Sequence, residues 1–564
     1  MYKKVERTLR DLGISFSTDV NTLKKYATDE SIFSVMPHML VTPYNTEEVQ
    51  KIVRTVALYT KEYPNISLTV RAAGTGLSGG SLNDSIILDI TNMTRVGEIE
   101  KNENGATLRV APGVYFKDIQ ALLETEQLYF PPYPSSWRLC TIGGMVANNA
   151  AGPNSLKYGH TSEFIKSLEV VMYDGVVHTF EKINHEQLQQ ELSRNDSVGE
   201  LYTYVWNLLQ NKTKEVADMK PHSSKNSAGY ELWDVLQADS VEDFKKGNGY
   251  VNMIHVFCGS QGTIGIVTNI VIRVINMPEK SDLLIVPIYE VNSMGSTIQT
   301  LLEHNPYNIE LYDDITYKLA LKNPSFFKQF FADGKENMTW IGFVMRMYGF
   351  FVTQFHGSVP KFTIMVKFDG DTKEETRKQI KETYEHLIAR GITKTRIVKD
   401  DNQEDVFWRI RGSSYTLAKL TKQANRPAAF LEDIVVPPEE ISEFIMSVQE
   451  ILAQHHLQYA VHGHGGNGHF HFYPLFDFTD SKTPERIFSI AREFYTLAVK
   501  HKGNICGEHN DGIMRTPFLR TVFTDSQLEI FKKLEHTADP DDIFNPGKKV
   551  NPKFDIKGSI RTIN

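Results

Sequence analysis

The chain has 564 residues, 41% of them hydrophobic and 23% charged, enough to build two or three cores rather than one. A net charge of −8 excludes a basic nucleic-acid surface. Cys140, Cys258 and Cys506 lie too far apart for a disulfide scaffold or a cysteine-held iron–sulfur cluster, and fit a reducing, cytoplasmic setting.

Residues 1–36 open with MYKKVERTLRDLGISF, which carries charge every few residues and no apolar core; this predicts a helical segment and no secretory signal. From 37 to 276, short β-like runs alternate with helices and glycine-rich turns. The runs are Ile66–Arg71, Ser85–Ile90, Ala106–Val110, Ser167–Tyr173 and Ile264–Val274, rich in the β-branched and aliphatic residues of strands covered by helices. From 277 to 500 the rhythm changes. A strand at Phe362–Phe368 leads through Gly370 to a helix opening at Asp371 or Thr372, with Glu375 three residues beyond Thr372 as in a capping box. A second helix follows Pro437 and Pro438, with Ile441, Phe444, Ile445, Val448, Ile451 and Leu452 at helical spacing. The class is α+β, with a ferredoxin-like cap in the second region. Residues 501–564 are too few for a domain and are expected to pack back on the first. The apolar stretch Met338–Phe355 is broken by Arg346 and Gln354, so it reads as a buried helix or a surface touching a membrane or quinone, not a spanning segment.

Gly74, Gly76 and Gly79 satisfy a dinucleotide GxGxxG, but Asn83-Asp84 and a strand follow where a helix would have to open. What survives is a turn whose backbone N–H groups can line a phosphate, or a plain hairpin turn. Two more glycine-dense loops, Thr141–Gly152 and Gly259–Gly265, make an extended ligand the better fit. In Val461–Phe472, two short strands flank Gly465-Gly466-Asn467-Gly468, which predicts a hairpin. Alternation then sets His464 opposite His469 and His462 opposite His471, all on one face, an arrangement suited to a metal. Gly507–Gly512 offers Glu508 as a carboxylate ligand and His509 as a base, or is a solvated loop.

Together these segments resemble the FAD-linked oxidase family that includes D-lactate dehydrogenases, glycolate oxidase and D-2-hydroxyglutarate dehydrogenase. The resemblance runs in order from Tyr26–Ser31 and Val41-Thr42-Pro43 through Arg71–Gly76, Ala111-Pro112-Gly113, Ile142–Gly159 and Gly259–Thr263 to Asp539-Pro540 and Asn545–Lys548. It implies a two-part PCMH-type FAD domain followed by a substrate cap. FAD would be held by Arg71, Ala73, Gly74, Thr75, Gly76, Leu77, Ser78 and Gly79, and by Pro112, Gly113, Thr141, Gly143, Gly144, Asn148, Asn149, Ala151 and Gly152. Gly262, Ile264, Ile266 and Asn545 complete the expected set. Relatives with covalent FAD carry a His or Cys near the first loop, or a Cys further on; Arg71–Asp84 has neither, so non-covalent FAD is expected.

The family's His-x6-His pair and Gly-Glu-His turn fall on His462, His469 and Glu508 as ligands of one divalent metal (Zn, Mn or Fe), with His509 as general base. Its Trp-x-x-Arg falls on Trp408 and Arg411, the expected clamp for a substrate carboxylate. The usual Gly-Asp-Gly-Asn reads His464-Gly465-Gly466-Asn467, Gly412 replaces an acidic residue, and no lysine stands near Leu431-Glu432-Asp433. The implied activity is oxidation of a D-2-hydroxy acid, D-lactate first. Electrons would pass to a separate quinone, cytochrome or electron-transfer protein, in the cytoplasm or peripherally at the inner face of a membrane. Two rivals stand beside it: an alkylglycerone-phosphate-synthase-like flavin transferase, and a flavin subunit of a larger electron-transfer complex.

Overall fold

The computed structural model describes residues 2–316, 359–419 and 425–561, with isolated positions between 317 and 358. The apolar stretch Met338–Phe355 lies outside the described residues apart from such isolated positions. Among the described residues no helix is long and apolar enough to cross a membrane.

Among the described residues three large sheets follow one another along the chain, and a two-stranded ribbon pairs Glu279–Lys280 with Asp369–Gly370. The first has four strands in the order Phe16–Ser17, Met39–Val41, Ile86–Asp89, Leu68–Arg71, the last three parallel. Helix Thr46–Thr60 crosses between Met39–Val41 and Leu68–Arg71, capped by Asn45, and buries Val49, Ile52, Val53 and Val56. Strand Ile86–Asp89 is buried along its whole length, as a parallel strand covered on both faces must be. Leu68–Arg71 and Ile86–Asp89 are parallel, so the glycine loop between them is not a hairpin turn.

The second sheet has eight antiparallel strands around Ile266–Asn276, which pairs with both Ile165–Val171 and Gly105–Val110. The third also has eight, all antiparallel, and runs from Arg396–Val398 through Leu283–Ile288, Phe362–Lys367 and Asn308–Asp313 to Tyr459–His464 and His469–Asp477. Its last strand also takes Asn425–Pro427 and Leu431–Val435. Helices Lys373–Ala389 and Ile441–Gln454 begin where the caps and prolines predict. Thr372 accepts from the Glu375 N–H, while the Glu375 carboxylate turns back to Asp371 N rather than to Thr372. The C-terminal segment returns to the first sheet: Leu68 N–H donates to Ile543 O and Asn545 N–H to Leu68 O. All three cysteines are free and buried.

Candidate active site

The chain between Arg71 and Ile86 crosses to a parallel neighbour with no helix in it. Gly74 and Gly79 take φ of 69° and 76°, which glycine adopts without a Cβ clash. A Cβ on Gly143 would stand 2.5 Å from the Pro112 side chain, so that glycine lets two loops close on each other. A Cβ on Gly76 would meet nothing nearer than Asn148 Nδ2 at 3.9 Å, because the loop faces open space there. That space is a cavity of about 730 Å³, walled by Ala73–Ser78, Thr141, Gly143–Met145, Ala147, Asn148 and Ser260–Gly262. At its far end stand Trp408, Arg411, His462, His471, Tyr473, Glu508 and His509. The volume and the side-chain-poor glycine wall suit an extended ligand lying against backbone.

The histidine hairpin forms in the register that alternation predicts, His462 opposite His471 and His464 opposite His469. Gly468, at φ 62°, closes the turn. Burial, reinforced by positive neighbours, holds His462, His469 and His471 well below the usual imidazole range, so they are neutral and able to ligate. The hairpin meets a carboxylate from the Glu508 turn. Glu508 Oε1 lies 3.3 Å from His464 Nε2, 3.7 Å from His471 Nε2 and 3.5 Å from His509 Nε2. Burial alone would raise the Glu508 pKa, but Lys225, His464 and His469 hold it well below the usual range.

Around this group runs a second layer of carboxylates. Glu310, on Asn308–Asp313, bonds His464 Nδ1 at 2.5 Å and pairs with the Arg411 guanidinium at 2.6 Å. His471 Nδ1 donates to the Glu432 carbonyl. Asp433 accepts from the backbone N–H groups of Glu508 (2.8 Å) and His509 (2.9 Å) and from His469 Nε2 at 3.0 Å. Glu432 pairs with buried Arg515 at 2.5 Å, and its other contact is His509 Nδ1 at 3.3 Å. Burial opposes charge on His509, but Asp433, Glu432 and Glu508 outweigh it and raise its pKa. A buried carboxylate facing His464 Nε2 and His471 Nε2, each ring braced through its Nδ1, is a donor set that could hold a divalent metal.

The model for an FAD binding domain matches residues 37–181, and the model for the C-terminal domain of FAD linked oxidases matches residues 277–549. The chain belongs to the FAD-linked oxidase family. This family member is 24% identical to a D-2-hydroxyglutarate dehydrogenase of Haemophilus influenzae, over 95% of its own length and 50% of the relative's. It thus spans about half the length of the D-2-hydroxyglutarate dehydrogenases it matches. Shorter relatives are covered further: glycolate oxidase subunit GlcD of Bacillus subtilis is 24% identical over 92% of this chain and 89% of that one. A D-lactate dehydrogenase of Anaerostipes hadrus is 23% identical over 91% and 89%. Among solved structures, p-cresol methylhydroxylase superposes with a TM-score of 0.63 at 14% identity, covering 98% of each chain. Alkyldihydroxyacetonephosphate synthase gives 0.62 at 15% identity, over 97% of this chain and 86% of that one. These likenesses show a shared PCMH-type fold.

Within this FAD-linked oxidase fold, Ala73, Gly74, Thr75, Gly76, Leu77, Ser78, Pro112, Thr141, Gly143, Gly144, Asn148, Ala151 and Gly262 line the cavity, as do Arg411 and His509. The other residues expected to hold FAD lie behind the wall. Arg71 donates to the carbonyls of Tyr26 and Thr28, Gly79 packs on Phe33 and Ile513, and Gly113 sits against Ile90 and Met93. Gly152 lies against Tyr133, Ile264 and Ile266 are buried in the core, and Asn149 bonds Glu231 and Ser162. Asn545 donates to Gly80 O and Gln261 O, tying two cavity loops together.

At this end of the cavity the tight group of possible ligands is His464, His469, His471 and Glu508, all buried; a second group, Glu440, Glu443 and His501, lies apart from it and is partly exposed. His462, expected as a ligand, stands beside it with its ring 4.9 Å from that of His471. The His-x6-His spacing is met equally by His464 and His471, a second registration of the same pattern. Glu310, Asp433 and Lys225 were missed from sequence; the available signal was an acid inside an apolar strand, as in Asn308–Asp313 and Leu431–Val435.

Proposed function

We propose that the chain oxidises a D-2-hydroxy acid to the 2-oxo acid, with non-covalent FAD in the glycine-walled cavity and one divalent metal at Glu508. The observation that carries this reading is the convergence of His464, His471 and His509 on Glu508 Oε1 at the end of that cavity, with Arg411 on the same wall. His464 Nε2, His471 Nε2 and Glu508 Oε1 are the protein ligands we propose, in place of the His462 and His469 registration. When bound, the flavin would take up hydride and the metal would acidify the 2-hydroxyl.

The chain's own residues supply the rest. Arg411 orients the substrate carboxylate, with Glu310 fixing the guanidinium from behind. His509 Nε2 stands beside the same Glu508 oxygen and takes the hydroxyl proton. A divalent cation there would oppose the rise in its pKa that the surrounding carboxylates impose. Cys140 is on the cavity wall, but burial pushes its thiol up to about 12, which supports a flavin held without a thioether bond. Arg411 is the only lysine or arginine among the described residues lining the cavity. That favours a monocarboxylate such as D-lactate over a dicarboxylate, whose second charge would meet no further lysine or arginine among the described lining residues. Electrons would leave to a separate acceptor.

The test is the visible spectrum of purified protein under anaerobic conditions, with D-lactate and D-2-hydroxyglutarate added in turn, alongside metal analysis. Bleaching of a flavin band by D-lactate, and one metal per chain lost in His464→Ala but kept in His462→Ala, is the expected result. A flavin band that no 2-hydroxy acid moves refutes the reaction class. Metal lost in His462→Ala and kept in His464→Ala refutes the ligand set.

A further inference from the structure

Lys225 enters the histidine cluster from the loop that follows helix Thr213–Ala217. Its side chain is fully buried, with Nζ 2.6 Å from Glu508 Oε2, 3.4 Å from His469 Nδ1 and 3.5 Å from Gly152 O. The loop that carries it is pinned to the hairpin and to the Glu508 turn: Asn467 Nδ2 donates to Ser224 Oγ at 3.0 Å, Ser227 N to Cys506 O at 2.9 Å and Asn510 N to Ser227 Oγ at 3.1 Å. An ammonium that deep is held in one place, because its alternatives are unsolvated.

Its position divides the cluster into two kinds of donor. Glu508 Oε2 faces Lys225, so only Oε1 is turned toward His464 and His471. His469 faces Lys225 with Nδ1 and Asp433 with Nε2, so both its nitrogens are engaged although its ring is 4.5 Å from that of His471. His464 and His471 differ: each is braced through Nδ1, by Glu310 and by the Glu432 carbonyl, and leaves Nε2 toward Glu508.

We infer that Lys225 is a positioning residue that sets the ligand count, holding Glu508 Oε2 and His469 off the metal so that three protein ligands remain and substrate can enter the open positions. The inference rests on the proposed metal at Glu508. A three-ligand site with open positions is what a catalytic metal requires, whereas a site closed by four protein ligands is structural. Lys225 thereby trades metal affinity for substrate access, since it places positive charge beside the cation.

The experiment strips metal from the parent, Lys225→Met, Lys225→Arg and His469→Gln with a chelator and titrates each with Co²⁺. Affinity is read by chelator competition, coordination by the visible d–d band, and folding by thermal melts of the metal-free proteins. Lys225→Met should bind Co²⁺ about tenfold more tightly or better, with a weaker d–d band as Oε2 or His469 adds to the shell. Lys225→Arg should track the parent, and His469→Gln should still take up one Co²⁺. A purely structural Lys225 gives the opposite sign, weaker binding in Lys225→Met. That result, an unchanged affinity and band, or loss of Co²⁺ from His469→Gln each overturns the inference, the last even if Lys225→Met does not fold. A parent that binds no Co²⁺ overturns the metal reading itself, and this inference with it.

Discussion

Glu310→Gln tests how the cluster is braced. The Glu310 carboxylate is buried, with one oxygen 2.5 Å from His464 Nδ1 and the other 2.6 Å from the Arg411 guanidinium. Burial favours its neutral form, but Arg411 and His464 outweigh that and lower its pKa, so it is an anion between two partners. Loss of the carboxylate behind a metal-bound histidine costs about 10–100-fold in metal affinity, and the lower part of that range applies because glutamine keeps an acceptor oxygen. The second cost falls on Arg411, only 6% exposed, whose charge loses its carboxylate; breaking such a buried pair costs ~3–5 kcal/mol. Folding stability therefore suffers more than metal affinity, and the variant should melt lower even without metal. In Glu310→Gln/Arg411→Met no buried charge is left uncompensated, so the double variant should recover part of the loss. The assays are chelator competition for affinity and denaturant unfolding of the metal-free proteins. An unchanged metal affinity in Glu310→Gln, or a double variant at least as unstable as the sum of the singles, would refute the bracing argument.

Three further outcomes follow from other parts of the molecule. Gly76→Ala places a methyl in the cavity and against no protein atom closer than 3.9 Å, so it should melt like the parent without flavin yet hold FAD at least about tenfold more weakly in a flavin-fluorescence titration. Burial, with Asp539 and Asp542 adding to it, raises Glu535 to about 8 despite the hydrogen bond from Tyr230. A folded pKa above the unfolded value of 4.5 stabilises fully below that value and loses its contribution as pH rises through about 8. The parent should thus lose melting temperature between about pH 5 and 8, and Glu535→Gln should lose less; identical pH profiles would count against it. Acid precipitation should release all of the flavin into the supernatant, and flavin retained in the pellet would contradict non-covalent binding.

Some of this was legible in local sequence because the physics is local. The missing helix after Gly74–Gly79 followed from Asn83-Asp84 and the strand behind it, and the start of helix Lys373–Ala389 followed from its cap at Thr372. The hairpin register likewise depends only on alternation about a short glycine turn, so the facing pairs could be derived without coordinates. Segments such as Arg71 and Asn545 were harder. They sit in motifs around the glycine-walled cavity, yet their side chains bond carbonyls that hold the loops, and a motif does not say which way a side chain points.

The sequence by itself therefore determined the α+β class, the glycine-rich loops that wall the cavity and a face of four histidines. Only tertiary structure decided which histidines turn toward Glu508. That choice belongs to Glu310, Asp433 and Lys225, which reach the hairpin from strands and a loop 36 to 244 residues away. The physical reason is that two registrations of the His-x6-His spacing are equivalent along one strand pair. Only the groups packed against the rings from other elements, Glu310 and the Glu432 carbonyl on His464 and His471, Asp433 and Lys225 on His469, make them different.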